Sequence, residues 1–237
     1  MIPKIIHYCW FGGKPKSKLV KKCIASWREY CPDYEFFEWN EENFDIGMNA
    51  YTRMCFETGK WAYLSDYVRL WAVHQKGGIY FDTDVELIKC PDFLLNDTSF
   101  IGYETMIALN TGLGFGSEPG GIAVKTMLRE YDELLDGQHG VATCPGLNTC
   151  ALKKLGLIPN GQYQEHPWGS VYPAEYFNPL ESSTGRLRLT PNTVSIHWYM
   201  GSCLTLQQRL RSRITRPFHW LFGEKCFTFI KGKERAL

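Results

Sequence analysis

Near the start of the chain, two apolar β-branched or aromatic runs lie on either side of an amphipathic helix pattern. The first run covers residues 2–8 and stops at an aromatic pair and two glycines, and the second covers residues 34–39. Between them, Ser17 can cap a helix that continues to about Tyr30 with its apolar residues at helical spacing. Strand, helix and strand at this spacing indicate parallel pairing. We therefore predict an α/β fold with a mostly parallel central sheet flanked by helices.

The composition is sufficient for one large domain and argues against nucleic acid as a partner. The 237 residues are 44% hydrophobic and 15% aromatic, and the formal net charge is +1. Nine cysteines are an odd number without a Cys-x-x-Cys pair, which favours free thiols in a reducing compartment. The chain shows no signal-peptide pattern, and no apolar run approaches the ~20 residues of a membrane span. We expect a cytoplasmic protein, soluble or peripheral.

The last part of the chain differs from the rest in charge. Residues 204–237 contain eight Lys or Arg and two Asp or Glu, and tryptophan, phenylalanine and leucine stand among them. We predict a domain over residues 1–203 and a helical, basic aromatic extension over 204–237. A solvated helix face and a helix lying on an anionic membrane both fit this pattern.

Two carboxylates one residue apart follow a glycine pair and a short apolar run. If the run is a strand that continues through Asp84, then Asp82 and Asp84 share one face of it. Like charges that close repel each other, and a divalent cation between them relieves the repulsion. The sequence thus predicts a metal site, although many such pairs only end a strand at a solvated turn.

Four further segments carry candidate site residues. A helix over 60–76 places Asp66 three residues before Arg69, which is either a surface ion pair or a pair carried to the same crevice. Residues 110–116 mix glycine with apolar residues, which is typical of a strand close to a ligand. Cys144 to Thr149 read as a loop that opens a helix, whose free N–H groups suit an anion or sugar hydroxyls. His197 ends the last strand-like run, as a structural residue or as a ligand.

Four motifs in this order strongly resemble glycosyltransferase family 32, over residues 1 to about 203. They are Ile5-Ile6-His7-Tyr8-Cys9-Trp10-Phe11-Gly12-Gly13, Leu64-Ser65-Asp66-Tyr67-Val68-Arg69, Gly77-Gly78-Ile79-Tyr80-Phe81-Asp82-Thr83-Asp84 and Ile196-His197. The resemblance implies a GT-A fold, a UDP- or GDP-linked sugar donor, Mn²⁺ or Mg²⁺, and retention of anomeric configuration. It assigns no nucleophile. One departure is Cys203, which stands where many relatives carry a tryptophan and leaves the closure of the site over the donor in doubt.

The resemblance also implies roles for individual residues. In the family pattern, Trp10 stacks on the nucleotide base, Asp66 and Arg69 hold ribose, sugar or phosphate, Tyr80 flanks the donor, Asn110 and Gly112 lie under the donor sugar, and Asp82, Asp84 and His197 make the metal site. The chemistry is consistent, because arginine binds phosphate bidentately and a divalent cation stabilises a departing diphosphate.

The resulting hypothesis is a hexosyltransferase that extends a capsular or other surface polysaccharide. The basic tail suggests a lipid-linked glycan acceptor and an anionic membrane surface at the inner face of the cell membrane. Two alternatives remain open from the sequence. One is a metal-dependent phosphatase, because Asp-x-Asp after an apolar strand also opens such enzymes. The other is a membrane-associated glycan-binding module without turnover.

Overall fold

The computed structural model describes residues 1–201 and four helical residues further on, Thr215, Pro217, Phe218 and Leu221. The predicted helical extension and its membrane role fall almost entirely outside the described residues. The domain boundary at residue 203 therefore stays a prediction. Within the described part of the chain, no helix is long and apolar enough to cross a bilayer.

The predicted strand, helix and strand at the start of the chain are confirmed. They are β1 (Ile5–Cys9), α1 (Lys18–Tyr30) and β2 (Glu35–Trp39), and β1 and β2 pair in parallel. Ser17 caps α1, because its side chain accepts a hydrogen bond from the N–H of Val20 at 3.3 Å.

The remaining elements follow in chain order. The helices are α2 (Ala50–Glu57), α3 (Trp61–Lys76), α4 (Ile122–Arg129), α5 (Cys144–Lys153) and α6 (Ala174–Phe177). The strands are β3 (Gly78–Tyr80), β4 (Val85–Leu87), β5 (Ser99–Gly102), β6 (Phe115–Ser117), β7 (Gln164–His166), β8 (Gly169–Tyr172) and β9 (Ser195–His197).

Seven of these strands form one mixed sheet in the order β2-β1-β3-β6-β5-β8-β7, and β4 pairs with β9 beside it. The pairs β1–β2, β1–β3 and β5–β8 are parallel. β6 runs antiparallel to both of its neighbours, and β7 runs antiparallel to β8. The sheet with flanking helices confirms the predicted α/β class.

The two faces of the sheet are covered by separate apolar clusters. Because side chains alternate along a strand, Ile79 faces the cluster that contains Trp27 of α1, whereas Tyr80 faces the cluster that contains Leu70 of α3. The helix α3 ends at Gly77, and the chain turns at Gly78 with φ +101°. A Cβ at Gly78 would lie 2.7 Å from the carbonyl oxygen of Ile5, so this junction requires glycine.

The strand before the carboxylate pair is shorter than predicted. β3 ends at Tyr80, and Asp82 and Asp84 lie in a turn closed by the N–H of Val85 on the carbonyl of Asp82 at 2.9 Å. The chain leaves the ladder at Asp82, whose N–H donates to the carbonyl of Gly112 at 3.1 Å. The period-two argument for a shared face was therefore wrong, although the turn still brings the two carboxylates together.

Two other segments differ from the predicted secondary structure. Residues 110–114 are not a strand, since only Phe115–Ser117 pair with β3 and β5. The segment from Cys144 to Thr149 is not a loop but the first turns of α5, where Pro145 is favourable near the N-terminus. The strand β7 and the helix α6 were not predicted.

Candidate active site

A cleft of about 590 Å³ opens beside the C-terminal ends of β1 and β3 and the N-terminal half of α3. This volume lies within the ~300–1,000 Å³ of small-molecule sites. Every predicted site residue except Gly112 lines it, namely Trp10, Asp66, Arg69, Tyr80, Asp82, Asp84, Asn110 and His197. The fold therefore brings together residues that are far apart in the sequence.

Arg69 connects two carboxylates at the inner end of the cleft. Its Nη2 lies 2.9 Å from Oδ1 of Asp66 and 2.9 Å from Oδ1 of Asp82. Asp66 and Arg69 stand three apart on α3, and both are buried. The alternative of a surface ion pair is thereby excluded for the described structure, because Arg69 and Asp66 are buried and Asp82 is only partly exposed, so water screens these charges little.

Asp66 also meets the start of α5. Burial raises the pKa of Asp66 to about 6, against the attraction of Arg69 and hydrogen bonds from the thiol and backbone of Cys144. Thr143, the residue before α5, makes no side-chain cap. The carboxylate of Asp66 thus takes part of the role of a helix cap from another element.

Tyr80 contacts the same oxygen of Asp82 as Arg69 does. Its hydroxyl donates to Oδ1 of Asp82 at 3.0 Å, and its ring lies 4.8 Å from the guanidinium carbon of Arg69. Burial raises the pKa of Asp82, while Arg69 opposes that shift. With Oδ1 engaged by two donors, Oδ2 is the oxygen of Asp82 that remains for a ligand.

The short sheet of β4 and β9 positions the second carboxylate and the histidine. Val85 lies opposite His197 in the register, and the N–H of Trp198 donates to the carbonyl of Asp84 at 2.9 Å. On the other side, Trp27 of α1 donates through Nε1 to the carbonyl of Val85 at 2.8 Å. This backbone anchoring fixes Asp84 directly beside His197.

Asp84 and His197 form a buried ion pair. Nε2 of His197 lies 3.2 Å from Oδ1 of Asp84, and the N–H of Met200 donates to Oδ2 of Asp84 at 2.6 Å. Burial alone would raise the pKa of Asp84, but His197 and that N–H hold it below its usual value. Burial likewise disfavours the charged imidazole, yet Asp84 raises the pKa of His197.

Asp82, Asp84 and His197 fit a divalent cation. One ligand atom from each lies within 4.8 Å of the others. Nδ1 of His197 is buried and has no hydrogen-bond partner among the described residues. Carboxylates suit Mg²⁺ and Mn²⁺, and imidazole extends the set toward the later transition metals. These three residues are therefore the candidate metal ligands of the cleft.

Trp10 lies at the outer part of the cleft, half-buried. Its Nε1 donates to the carbonyl of Lys14 at 2.7 Å, and its backbone N–H donates to the carbonyl of Trp39 at 2.8 Å. Nζ of Lys16 lies 5.4 Å from the ring centre. The indole is thus held in place while it borders the cleft, as a stacking platform requires.

Asn110 and Gly112 lie next to the carboxylates. The side-chain oxygen of Asn110 accepts a hydrogen bond from the N–H of Gly112 at 2.7 Å. A Cβ at Gly112 would overlap Oδ2 of Asp82 and lie 3.0 Å from Nη1 of Arg69. Gly112 does not line the cleft itself, but only glycine leaves room for Asp82 at this position.

Sequence reasoning missed Glu104 and Tyr199, which line the same cleft. Tyr199 is packed against His197, with ring centres 4.3 Å apart, and its hydroxyl accepts from Asn178 at 2.7 Å. No spacing rule connects these residues to the Asp-x-Asp segment. The position of Tyr199 two residues after His197 was the one available signal.

A model of the glycosyltransferase sugar-binding region containing the DXD motif matches residues 17–101. Inositol phosphoceramide mannosyltransferase 3 of Schizosaccharomyces pombe is 31% identical over 107 residues, which cover 42% of this chain and 29% of that protein. Residues 17–101 are thus similar to the sugar-binding region of DXD-containing glycosyltransferases. The chain spans less than a third of the length of this curated relative.

A solved structure supports the fold. The PaToxG glycosyltransferase superposes with a TM-score of 0.52 at 19% identity, over 65% of this chain and 69% of that one. A glycosyltransferase involved in glycosylation of the major capsid of PBCV-1 reaches a TM-score of 0.48 at 13% identity, over 90% of this chain and 99% of that one. The first likeness, with the α/β layers, confirms the predicted GT-A type fold.

Proposed function

We propose that this protein transfers a hexose-type sugar from a UDP- or GDP-linked donor to a glycan acceptor, with a divalent cation and with retention at the anomeric carbon. The observation that carries the proposal is the content of one cleft. A bordering indole, a buried arginine between carboxylates, and an Asp-Asp-His cluster line the same cavity. A nucleotide sugar presents a base, a diphosphate and sugar hydroxyls, which are the groups that these side chains recognise.

Each part of the cleft has a proposed role in binding the donor. Trp10 stacks on the base, a contact worth ~1–3 kcal/mol in nucleic-acid complexes. The N–H groups of Arg69 are engaged by protein partners, so Arg69 contributes its positive charge near the phosphate or sugar oxygens while Asp66 keeps the guanidinium in position. Tyr80 orients Asp82, and Asn110 offers its amide to the sugar hydroxyls.

The candidate ligands Asp82, Asp84 and His197 would hold Mn²⁺ or Mg²⁺. When bound, such an ion neutralises charge that develops on the departing diphosphate. His197 and the N–H of Met200 lower the pKa of Asp84, so this carboxylate is ionised and available to a cation. The carboxylates act in this proposal as an anchor for the leaving group, and no nucleophile is assigned.

The acceptor and the cellular role are proposed from the name of a relative and from the basic residues at 204–237. The matched yeast protein is named for mannosyl transfer to an inositol phosphoceramide, which is a lipid that carries a phosphate. We propose a lipid-linked glycan acceptor and a role in capsular or surface polysaccharide synthesis at the inner face of the cell membrane. The basic residues of 204–237 would add contacts to an anionic surface.

A donor panel tests the proposal. The protein is incubated with UDP- and GDP-linked glucose, galactose, mannose and their N-acetyl forms, with Mn²⁺, with Mg²⁺ or with a chelator, and release of nucleoside diphosphate is measured. Binding of each donor is measured by calorimetry in parallel. One donor should be bound and hydrolysed in a metal-dependent manner. No binding and no hydrolysis of any donor would refute the proposal.

The same samples separate the two alternatives left open by the sequence. A generic phosphate ester is included as a phosphatase substrate, and we expect no turnover of it, because Oδ1 of Asp82 is engaged by Arg69 and Tyr80. Glycan binding without donor or metal binding would instead indicate a binding module. For the active donor, NMR of the first-formed product shows whether the anomeric configuration is retained.

A further inference from the structure

A second hollow lies beside the donor cleft, between the 103–109 loop and α5. It is an open groove of about 580 Å³, lined by Ile107, Ala108, Pro145, Gly146, Thr149, Cys150, Lys153 and Lys154. Pro145 lines both the groove and the cleft, so the two hollows are adjacent at the start of α5. A molecule seated in the groove would thus lie next to a donor in the cleft.

The wall between the two hollows is an ordered loop. Tyr103 pairs with Leu109 at its base, and the N–H of Glu104 donates to the carbonyl of Ala108 at 2.8 Å. Leu109 is tied to α5, because its N–H donates to Oγ1 of Thr149 at 3.0 Å. Glu104 lines the cleft on one side of this loop, while Ile107 and Ala108 line the groove on the other.

The groove carries positive charge at one end. Nζ of Lys154 lies 2.5 Å from Oε1 of Glu130, and this carboxylate largely neutralises the charge of the lysine. Lys153 is exposed and makes no ion pair with any residue of the described part of the chain. A ligand with an anionic group would therefore find one uncompensated cation in the groove.

The loop that borders the groove and the segment next to it carry exposed apolar side chains. Met106 and Ile107 at the loop tip are 64% and 67% exposed, and Ile158 is 68% exposed. Met106 contacts the neighbouring segment, since a Cβ at Gly161 would lie 2.9 Å from its sulfur. Tyr103 links the loop to that segment through a hydrogen bond to the carbonyl of Ile158 at 3.2 Å. Of these residues Ile107 lines the groove itself, and exposed apolar side chains beside a hollow are typical of a binding surface.

We propose that this groove is the acceptor subsite, and that its occupant is an amphiphilic acceptor in which a phosphate joins a glycan to a lipid. The phosphate meets Lys153, the apolar part lies along Ile107 and Met106, and the reacting hydroxyl passes Pro145 toward Glu104 in the cleft. This inference rests on the proposed function and names the substrate class for it. It follows from the charge of the groove, the exposed apolar side chains of the loop that borders it, and its position beside the donor cleft.

Cys150 provides a reporter within the groove, because it is exposed whereas the other described cysteines are buried or partly buried. The full chain is alkylated with N-ethylmaleimide, and the rate at Cys150 is read from its peptide by mass spectrometry. The probes are monomeric n-decyl phosphate, inorganic phosphate and n-octyl glucoside. At about ten times its Kd, n-decyl phosphate should slow the reaction at Cys150 by about tenfold. Inorganic phosphate and the neutral glycoside at the same concentration should leave the rate unchanged.

Two variants connect the protection to the proposed contacts. In Lys153→Gln, the protection by n-decyl phosphate should be lost. In the control Lys125→Gln, which removes an exposed lysine on α4, the protection should be kept. Cys150→Ser should remove the reported peptide signal.

Several outcomes would overturn the inference. They are no protection by n-decyl phosphate, equal protection in Lys153→Gln, and equal protection by inorganic phosphate or by the neutral glycoside. No donor is needed for this experiment, so it fails independently of the donor panel. If a donor binds but Cys150 is not protected, the acceptor subsite is wrong and the proposed function stands. If no donor binds, the proposed function itself fails.

Discussion

Arg69 of α3 donates to Asp82, which follows β3, at 2.9 Å, and the arginine is buried while the carboxylate is only partly exposed. The same nitrogen lies 2.9 Å from Asp66. Two carboxylates therefore depend on one cation. Removing a single partner from a buried pair leaves an uncompensated charge, which destabilises a protein more than the pair itself stabilises it.

We expect Arg69→Met to lower the free energy of unfolding by about 3–5 kcal/mol, because it leaves Asp66 and Asp82 without a counter-charge. Arg69→Lys should fall between this variant and the parent, since an ammonium cannot reach both carboxylates as a guanidinium fork does. Urea unfolding measures both. The exposed Arg53→Met should change stability by no more than about 0.5 kcal/mol. An equal effect of the two Met variants would contradict the bridging role.

Replacing Asp84 with Asn should abolish metal-dependent donor hydrolysis. The amide has no charge to offer a cation or His197, and several kcal/mol of charge stabilisation correspond to about a thousandfold or more in rate. Calorimetric titration with Mn²⁺ and the hydrolysis assay check this. Asp97→Asn is the matched control, since Asp97 accepts from the hydroxyl of Tyr172 at 3.1 Å outside the cleft. Retention of most activity in Asp84→Asn would refute the metal role.

Gly112→Ala should displace Asp82, because the new methyl group would overlap Oδ2 of that carboxylate. We expect a loss of about 1–3 kcal/mol in unfolding free energy, as for other overpacked sites, together with weaker Mn²⁺ binding. In Gly146→Ala, the nearest atom to the new Cβ is Oγ1 of Thr143 at 3.7 Å. Within α5 this control should be as stable as the parent or up to about 1 kcal/mol more stable. Similar losses in both variants would contradict the steric account.

His7 is fully buried at the junction of β1, β2 and α3, where its neutral form is required. One ring nitrogen, Nε2, donates to the carbonyl of Gly77 at 2.8 Å, and the other, Nδ1, accepts from Nε1 of Trp39 at 3.1 Å. A second proton would have to face the N–H of Trp39. Burial, with a smaller contribution from the charge of Lys76, lowers the pKa of His7 to about 4.

This lowered pKa predicts a loss of stability in acid. Below the ordinary value of about 6.5 the unfolded chain binds a proton at His7, whereas the folded protein does so only near pH 4, so stability falls between these values. The expected loss from this group is about 3 kcal/mol. Urea unfolding between pH 7 and 4 should show a shallower dependence for His7→Gln than for the parent. The exposed His139→Gln should keep the parental slope, and an unchanged slope in His7→Gln would contradict the assignment.

Features that depend on a single helix or turn could be predicted from the sequence. Spacing along one helix was enough to place Asp66 beside Arg69, and the glycine pair correctly marked the end of α3. The resemblance assigned Trp10 to the same site, and the structure places it in the same cleft.

Contacts between short, distant segments were not predictable in this way. β4 and β9 have three residues each, too few for periodicity to indicate their pairing. The turn at Asp82 depends on the carbonyl of Gly112, and the loop that holds Glu104 depends on Thr149 of α5. These contacts form between elements, so no local pattern contains them.

The pairing of β4 with β9 sets the order in which the cleft is completed during synthesis. Met200, whose N–H holds Asp84, lies 116 residues further along the chain. While a ribosome is still translating the segment before Ser195, the nascent protein has neither the imidazole of His197 nor that N–H beside Asp84. The domain therefore acquires its full set of candidate metal ligands only when the last described strand docks.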